Sequence, residues 1–154
     1  MQKTLENYAF IDSQNLNLGV RDQGWVLDFY RFRIFLKEKH GVAKAYMFLG
    51  FMQERASLYE TLRRYGFDLV FKPVVRTKKN EVKGNVDAEL VLQAMIDYPN
   101  YKKAVIVTGD GDFYCLVKYL HEQKKLLNLV VPNRYKYSTL LRQKNLPGLP
   151  TIFI

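Results

Sequence analysis

Cysteine is almost missing from this chain of 154 residues, which has only Cys115. An internal disulfide framework and a cysteine-rich zinc site are therefore excluded. Histidine is nearly as scarce. His40 and His121 stand far apart, outside any zinc-ligand spacing, so a zinc hydrolase has no support. No apolar run reaches the roughly 18 residues that a bilayer span needs. The start, Met1 to Asn7, lacks the charged-then-apolar layout of a signal peptide, and a cytoplasmic location is the expectation. Gly-x-Gly-x-x-Gly and P-loop patterns are also missing, which removes direct support for a nucleotide cradle.

What is present describes a soluble globular domain. Apolar residues make up 48% and charged residues 25% of the chain, outside the disordered range. The length suffices for one domain with a proper core. Lys and Arg number 24 against 15 Asp and Glu, a net +9. Such an excess favours an anionic partner, nucleic acid first.

Strand and helix patterns alternate along the chain. Tyr8–Ile11 reads as a strand ending at Asp12, followed by a polar, Asn-rich loop over 13–24. Phe29, Phe32, Phe35 and Leu36 mark a helix over 28–39, closed by Gly41. Ala45–Leu49 is the second strand. Leu58, Leu62 and Tyr65 place one face of a helix over 54–65, stopped by Gly66. A third strand covers 67–75, and the basic stretch 76–84 reads as a loop. A helix follows over 86–97, then the β-branched strand Ala104–Val107, typical of a strand buried on both faces. Another helix carries Phe113, Leu116, Val117 and Leu120, and 126–131 forms a fifth strand before Pro132. Ser138 caps a short helix, and 151–154 forms an edge strand. The expected fold is a single α/β domain over 1–154. It is a three-layer sandwich with a mainly parallel sheet of about five or six strands.

Ligands of such sheets bind beyond the carboxyl ends of the strands. Asp12 follows the first strand, and Asp110 and Asp112 follow the fourth. Asp87 opens the helix after the basic loop, with Leu90 and Val91 on its inward face. Taken singly, each Asp has an ordinary reading as a cap, a turn residue or a strand end. Four carboxylates converging on one sheet edge repel one another, and a divalent cation relieves that repulsion. Oxygen-only ligands suit Mg²⁺ or Mn²⁺, as one ion or two. A cation beside a basic loop suits phosphodiester cleavage.

At Phe10-Ile11-Asp12-Ser13-Gln14-Asn15-Leu16, Lys83-Gly84-Asn85-Val86-Asp87 and Val107-Thr108-Gly109-Asp110-Gly111-Asp112-Phe113, the chain resembles the NYN-domain family (LabA-like) of the PIN-like nuclease superfamily. The resemblance covers nearly all of the sequence. It implies a PIN-like, Rossmann-like sandwich and a metal-dependent ribonuclease site that cuts within RNA rather than from its ends. Carried over, Asp12, Asp87, Asp110 and Asp112 surround the metal. Asn15 assists by a side-chain hydrogen bond or through a metal water, and Ser13 and Thr108 support the site. One departure stands out. Many relatives carry a further Asp about two turns into the helix that Asp87 opens, where this chain has Gln93. A nonenzymatic RNA-binding or regulatory module is therefore the alternative reading.

Arg76, Lys78, Lys79 and Lys83 flank Asp87 and are candidates for phosphate contact, although charge runs are usually solvated surface. Arg134 and Tyr135 follow the fifth strand on the same edge, and Tyr beside a cation can stack on single-stranded bases. Trp25 is assigned to the core and Cys115 to a small buried position. The expected partner is RNA, single-stranded or structured. A homodimer is compatible with the sequence, and no membrane contact is expected.

Overall fold

The structure is a computed structural model. It describes residues 4–73, 75–76, 82–83 and 86–154, with side chains outside 75–76 and 82–83. The strands among the described residues are β1 (Glu6–Asp12), β2 (Val42–Gly50), β3 (Phe67–Lys72), β4 (Val75–Arg76), β5 (Val82–Lys83), β6 (Tyr101–Val107), β7 (Leu126–Val131) and β8 (Thr151–Phe153). The α-helices among them are α1 (Ser13–Arg21), α2 (Phe29–His40), α3 (Ala56–Arg64), α4 (Asp87–Ile96) and α5 (Tyr114–Glu122).

Six strands form one sheet in the order β3-β2-β1-β6-β7-β8, parallel throughout. The chain first winds outward from β1 to β3, then returns to the other side of β1 and winds outward to β8. The order reverses between β1 and β6, and crevices that bind ligands open at such a switch point.

The sheet separates two cores. On one face Ala9, Ile11 and Met47 meet Leu16 and Val20 of α1, Phe32 and Leu36 of α2, and Leu62 of α3. On the other, Phe10, Phe48 and Ile106 meet Leu90 and Ala94 of α4 and Val117 and Leu120 of α5. The central strands β1 and β6 are covered on both sides, which explains their unbroken apolar runs.

Several expectations need correction. Residues 13–21 form a helix, not a loop. Asp12 caps it by accepting from the Asn15 N–H, and Leu16 and Val20 supply its buried face. Its Asn and Gly content hides the period. Gly19 is required there, because a Cβ would approach Pro132 Cβ to 2.7 Å. The third strand ends at Lys72. Within the stretch read as a basic loop, Val75 and Arg76 pair antiparallel with Lys83 and Val82. In α3, Tyr59 and Leu62 are buried while Leu58 is exposed. The Tyr59 hydroxyl accepts from the Met52 N–H and donates to the Gly50 carbonyl, which turns that ring inward. Trp25 and Cys115 are exposed, because neither the turn after α1 nor the outer side of α5 is covered. Ser138 does cap a short 3-10 turn over Thr139–Leu141, and β8 is an edge strand. Among the described residues, no helix is long and apolar enough to cross a membrane.

Candidate metal centre

Three of the four aspartates meet at the switch point. One carboxylate oxygen from each of Asp12, Asp87 and Asp110 lies within 4.8 Å of the others. Asp12 ends β1, Asp110 stands in the loop after β6, and Asp87 is the first residue of α4. At a helix N-terminus a carboxylate is favoured by the macrodipole. The three residues border a cleft of about 280 Å³, closed by Gln14, Asn15, Leu18 and Val86.

Asp12 is the buried member, only 5% exposed. Burial pushes its carboxyl above the ordinary carboxylate range. Hydrogen bonds from the Asn15 N–H and the Thr108 hydroxyl act in the opposite direction, and the nearby Asp110 charge raises it further. The bond from Asn15 is 3.3 Å and that from Thr108 3.0 Å.

Thr108 is fully buried and joins two of the acids. Its hydroxyl donates to Asp12 Oδ2 and accepts from the Asp110 N–H at 3.1 Å. Asn15 joins α1 to the loop after β6. Its Oδ1 accepts from the Gly109 N–H at 2.8 Å, so its amide oxygen positions the loop. Gly109 is closely packed, since a Cβ would lie 3.0 Å from Tyr137 Cβ. Gly111 is tighter still, since a Cβ would lie 2.4 Å from the Ser138 Oγ.

Asp112, Ser13, Arg134 and Tyr135 are not members of this group of three. Asp112 is exposed, and its N–H donates to Asp110 Oδ1, which fixes the Asp110 carboxylate. Ser13 is buried and lines an adjoining hollow rather than the acidic cleft. Arg134 sits over the Phe153 ring at 5.2 Å, and Tyr135 is 75% exposed. The backbone of Arg76 and Lys83 belongs to the β4–β5 ladder, whereas Lys78 and Lys79 lie outside the described residues. Glu89 turns toward Lys72, 3.9 Å away. Gln93 does not reach the acids. Its amide donates to Asp97 Oδ2 at 3.0 Å. Gln14 and Leu18 are missed by the sequence because reading 13–24 as a loop conceals the face of α1 that borders the cleft, and Val86 precedes α4 as a buried apolar residue.

The donor set fits a hard divalent cation. It consists of oxygens only, it brings like charges together, and its buried member is held by two protein donors. A doubly wound parallel sheet with acids converging at its switch point defines a PIN-like α/β domain. The chain belongs to the NYN domain family, whose family model matches residues 8–145. Its fold is similar to the crystal structure of a protein of unknown function from Vibrio parahaemolyticus. The TM-score is 0.77 at 23% identity, over 100% of this chain and 96% of that one. No curated protein matches the sequence.

Proposed function

We propose that the protein is a metal-dependent ribonuclease of the cytoplasm that cuts within RNA, using Mg²⁺ or Mn²⁺ held by Asp12, Asp87 and Asp110. The convergence of these carboxylates at the switch point carries the reading. Membership in the NYN family supports RNA as the substrate class. When bound, the cation supplies charge stabilisation at the phosphate oxygens and lowers the pKa of a coordinated water.

The protein's own residues keep the acids in place. Thr108 fixes Asp12 against Asp110, Asn15 fixes the Gly109 loop, and the Asp112 N–H orients the Asp110 carboxylate. Arg76, Lys78, Lys79 and Lys83 are assigned to the approach of the phosphate chain, with Arg134 and Tyr135 on the same sheet edge, and Asp112 to the rim of the metal site beside Asp110. Gln93 is engaged with Asp97. A core of three carboxylates therefore favours one ion over two.

The test is cleavage of labelled RNAs and single-stranded DNAs with Mn²⁺, Mg²⁺ or EDTA, beside Asp12→Asn. The expected result is internal cutting of RNA that needs metal and falls more than about a hundredfold in the variant, beyond the loss typical of outer residues. Equal cutting by both proteins overturns the site. RNA binding without cutting, identical in both, replaces the enzyme with a binding module, as the absence of a further acid at Gln93 would allow.

A further inference from the structure

A second hollow, of about 300 Å³, adjoins the acidic cleft and shares Gln14, Leu18 and Val86 with it as common wall. It lies where β2 ends at Leu49 and Gly50, on the same edge of the sheet, between α1 and α3. Its lining is of two kinds. Leu18 and Leu58 present apolar surface that is 50% and 39% exposed. Gln14, Asn17, Arg21 and Arg55 add polar and cationic groups. None of these four side chains has a hydrogen bond or ion pair among the described residues.

The helix α1 is built to serve both sides. Ser13, Leu16 and Val20 are buried in the fold. Gln14, Asn17, Leu18 and Arg21 follow the i, i+3, i+4, i+7 spacing of a separate stripe. That stripe starts at the acidic cleft and runs about 10 Å to Arg21, at 1.5 Å per residue. A flat heterocycle with polar edges, carried on a phosphate chain, matches such a surface. The leucines supply apolar contact, the amides supply donors and acceptors for base edges, and the arginines supply phosphate partners. Free phosphate leaves the apolar walls unused, and a greasy peptide leaves the amides and arginines unmatched.

We infer that this hollow is a nucleoside subsite, which takes the base adjoining the phosphate held at the aspartate cluster, with Arg21 and Arg55 on the phosphate beyond. The inference rests on the RNA reading above and adds the part of the substrate that the acids cannot recognise.

The experiment compares the affinity of the full chain for a short labelled RNA and for the same ribose–phosphate chain without bases. It is run in Ca²⁺, with the RNA checked intact on a gel. Both ligands carry equal charge, so the difference reports base contacts alone. Wild type is expected to bind the RNA about tenfold more tightly than the abasic chain, in the range of base stacking. In the Leu18→Ala/Leu58→Ala variant the gap should shrink below about threefold. Both leucines are partly exposed, so circular dichroism is expected to show an unchanged fold. Arg21→Ala should weaken both ligands alike. An unchanged gap in the double leucine variant, or no gap in wild type, overturns the subsite and leaves the cleavage reading standing. Failure of wild type to bind either chain overturns both.

Discussion

Two buried aspartates, at opposite ends of the same sheet, have opposite surroundings. Asp97 follows α4 and is 8% exposed. Its Oδ2 accepts from the Tyr46 hydroxyl at 2.6 Å and from Gln93 at 3.0 Å. The Lys44 ammonium, drawn to the Tyr46 hydroxyl and to the Asp97 charge, is held above its ordinary pKa. Asp12 is 5% exposed and also has two donors, but it faces Asp87 and Asp110, and among the described residues no cation acts on it. Burial of a charge is costly unless it is paired. Around Asp97 the protein itself supplies the compensation, so that site is part of the scaffold. Around Asp12 the neighbours among the described residues are two further acids, and a bound cation would complete the compensation. Burial alone thus does not mark a functional acid. The sign of its neighbours does.

The largest expected effect in this comparison comes from removing a donor on the Asp12 side. Thr108→Val keeps the shape of the side chain. It deletes the bond to Asp12 and leaves the Asp110 N–H without its partner. Outer partners of metal ligands are worth about 10–100-fold in affinity or activity. Cleavage rate against Mn²⁺ concentration should show a loss of that size, with a higher metal requirement. A rate unchanged at all Mn²⁺ concentrations would remove Thr108 from the site.

The contrast also explains what the sequence makes legible. Asp12, Asp87 and Asp110 could be brought together on paper because strand ends in a parallel sheet share one edge. The β-branched run of β6 marks the end that precedes Asp110, and the Gly41 and Gly66 stops mark the starts of β2 and β3. The wall of the cleft was concealed. In α1 the stabilising features are tertiary: the cap from Asp12, the burial of Leu16 and Val20, and the close fit of Gly19 against Pro132. Local propensity cannot express these. The Tyr59 phase in α3 depends likewise on two backbone partners outside the helix. Asp112 has a place that a motif does not express. It stands beside Asp110 in sequence, yet it is exposed and contributes its N–H to Asp110.

The next effect belongs to the scaffold side. Tyr46→Phe removes one of the two donors to Asp97, while Gln93 remains. A hydrogen bond to a charged group is worth about 1.5–3 kcal/mol. Urea unfolding should show a loss of about that size, with the metal dependence of cleavage unchanged. A Tyr46→Phe protein of full stability would show that Asp97 does not need its second donor. A shifted metal dependence would couple the two acids, contrary to the division drawn above.

The smallest effect sharpens the comparison most. The metal-free Asp12 carboxyl is held above its usual pKa, first by burial and then by the Asp110 charge. A raised carboxyl pKa means that the folded protein binds the proton more tightly than the unfolded chain does. The stability contribution is therefore fully present below the ordinary Asp value, about 4. It is lost as the pH climbs through the raised one. Asp12→Asn cannot ionise and escapes that loss. In EDTA its Tm should match wild type near pH 4 and exceed it by a few degrees at neutral pH. Saturating Mn²⁺ should reverse the order, because ligand binding stabilises only the protein that retains its carboxylate cluster. Thermal unfolding across pH, with EDTA and with Mn²⁺, reads both halves. A wild type that stays ahead of Asp12→Asn in EDTA at neutral pH would mean that the donors of Thr108 and Asn15 outweigh burial and repulsion. Asp12 would then be a compensated scaffold acid like Asp97.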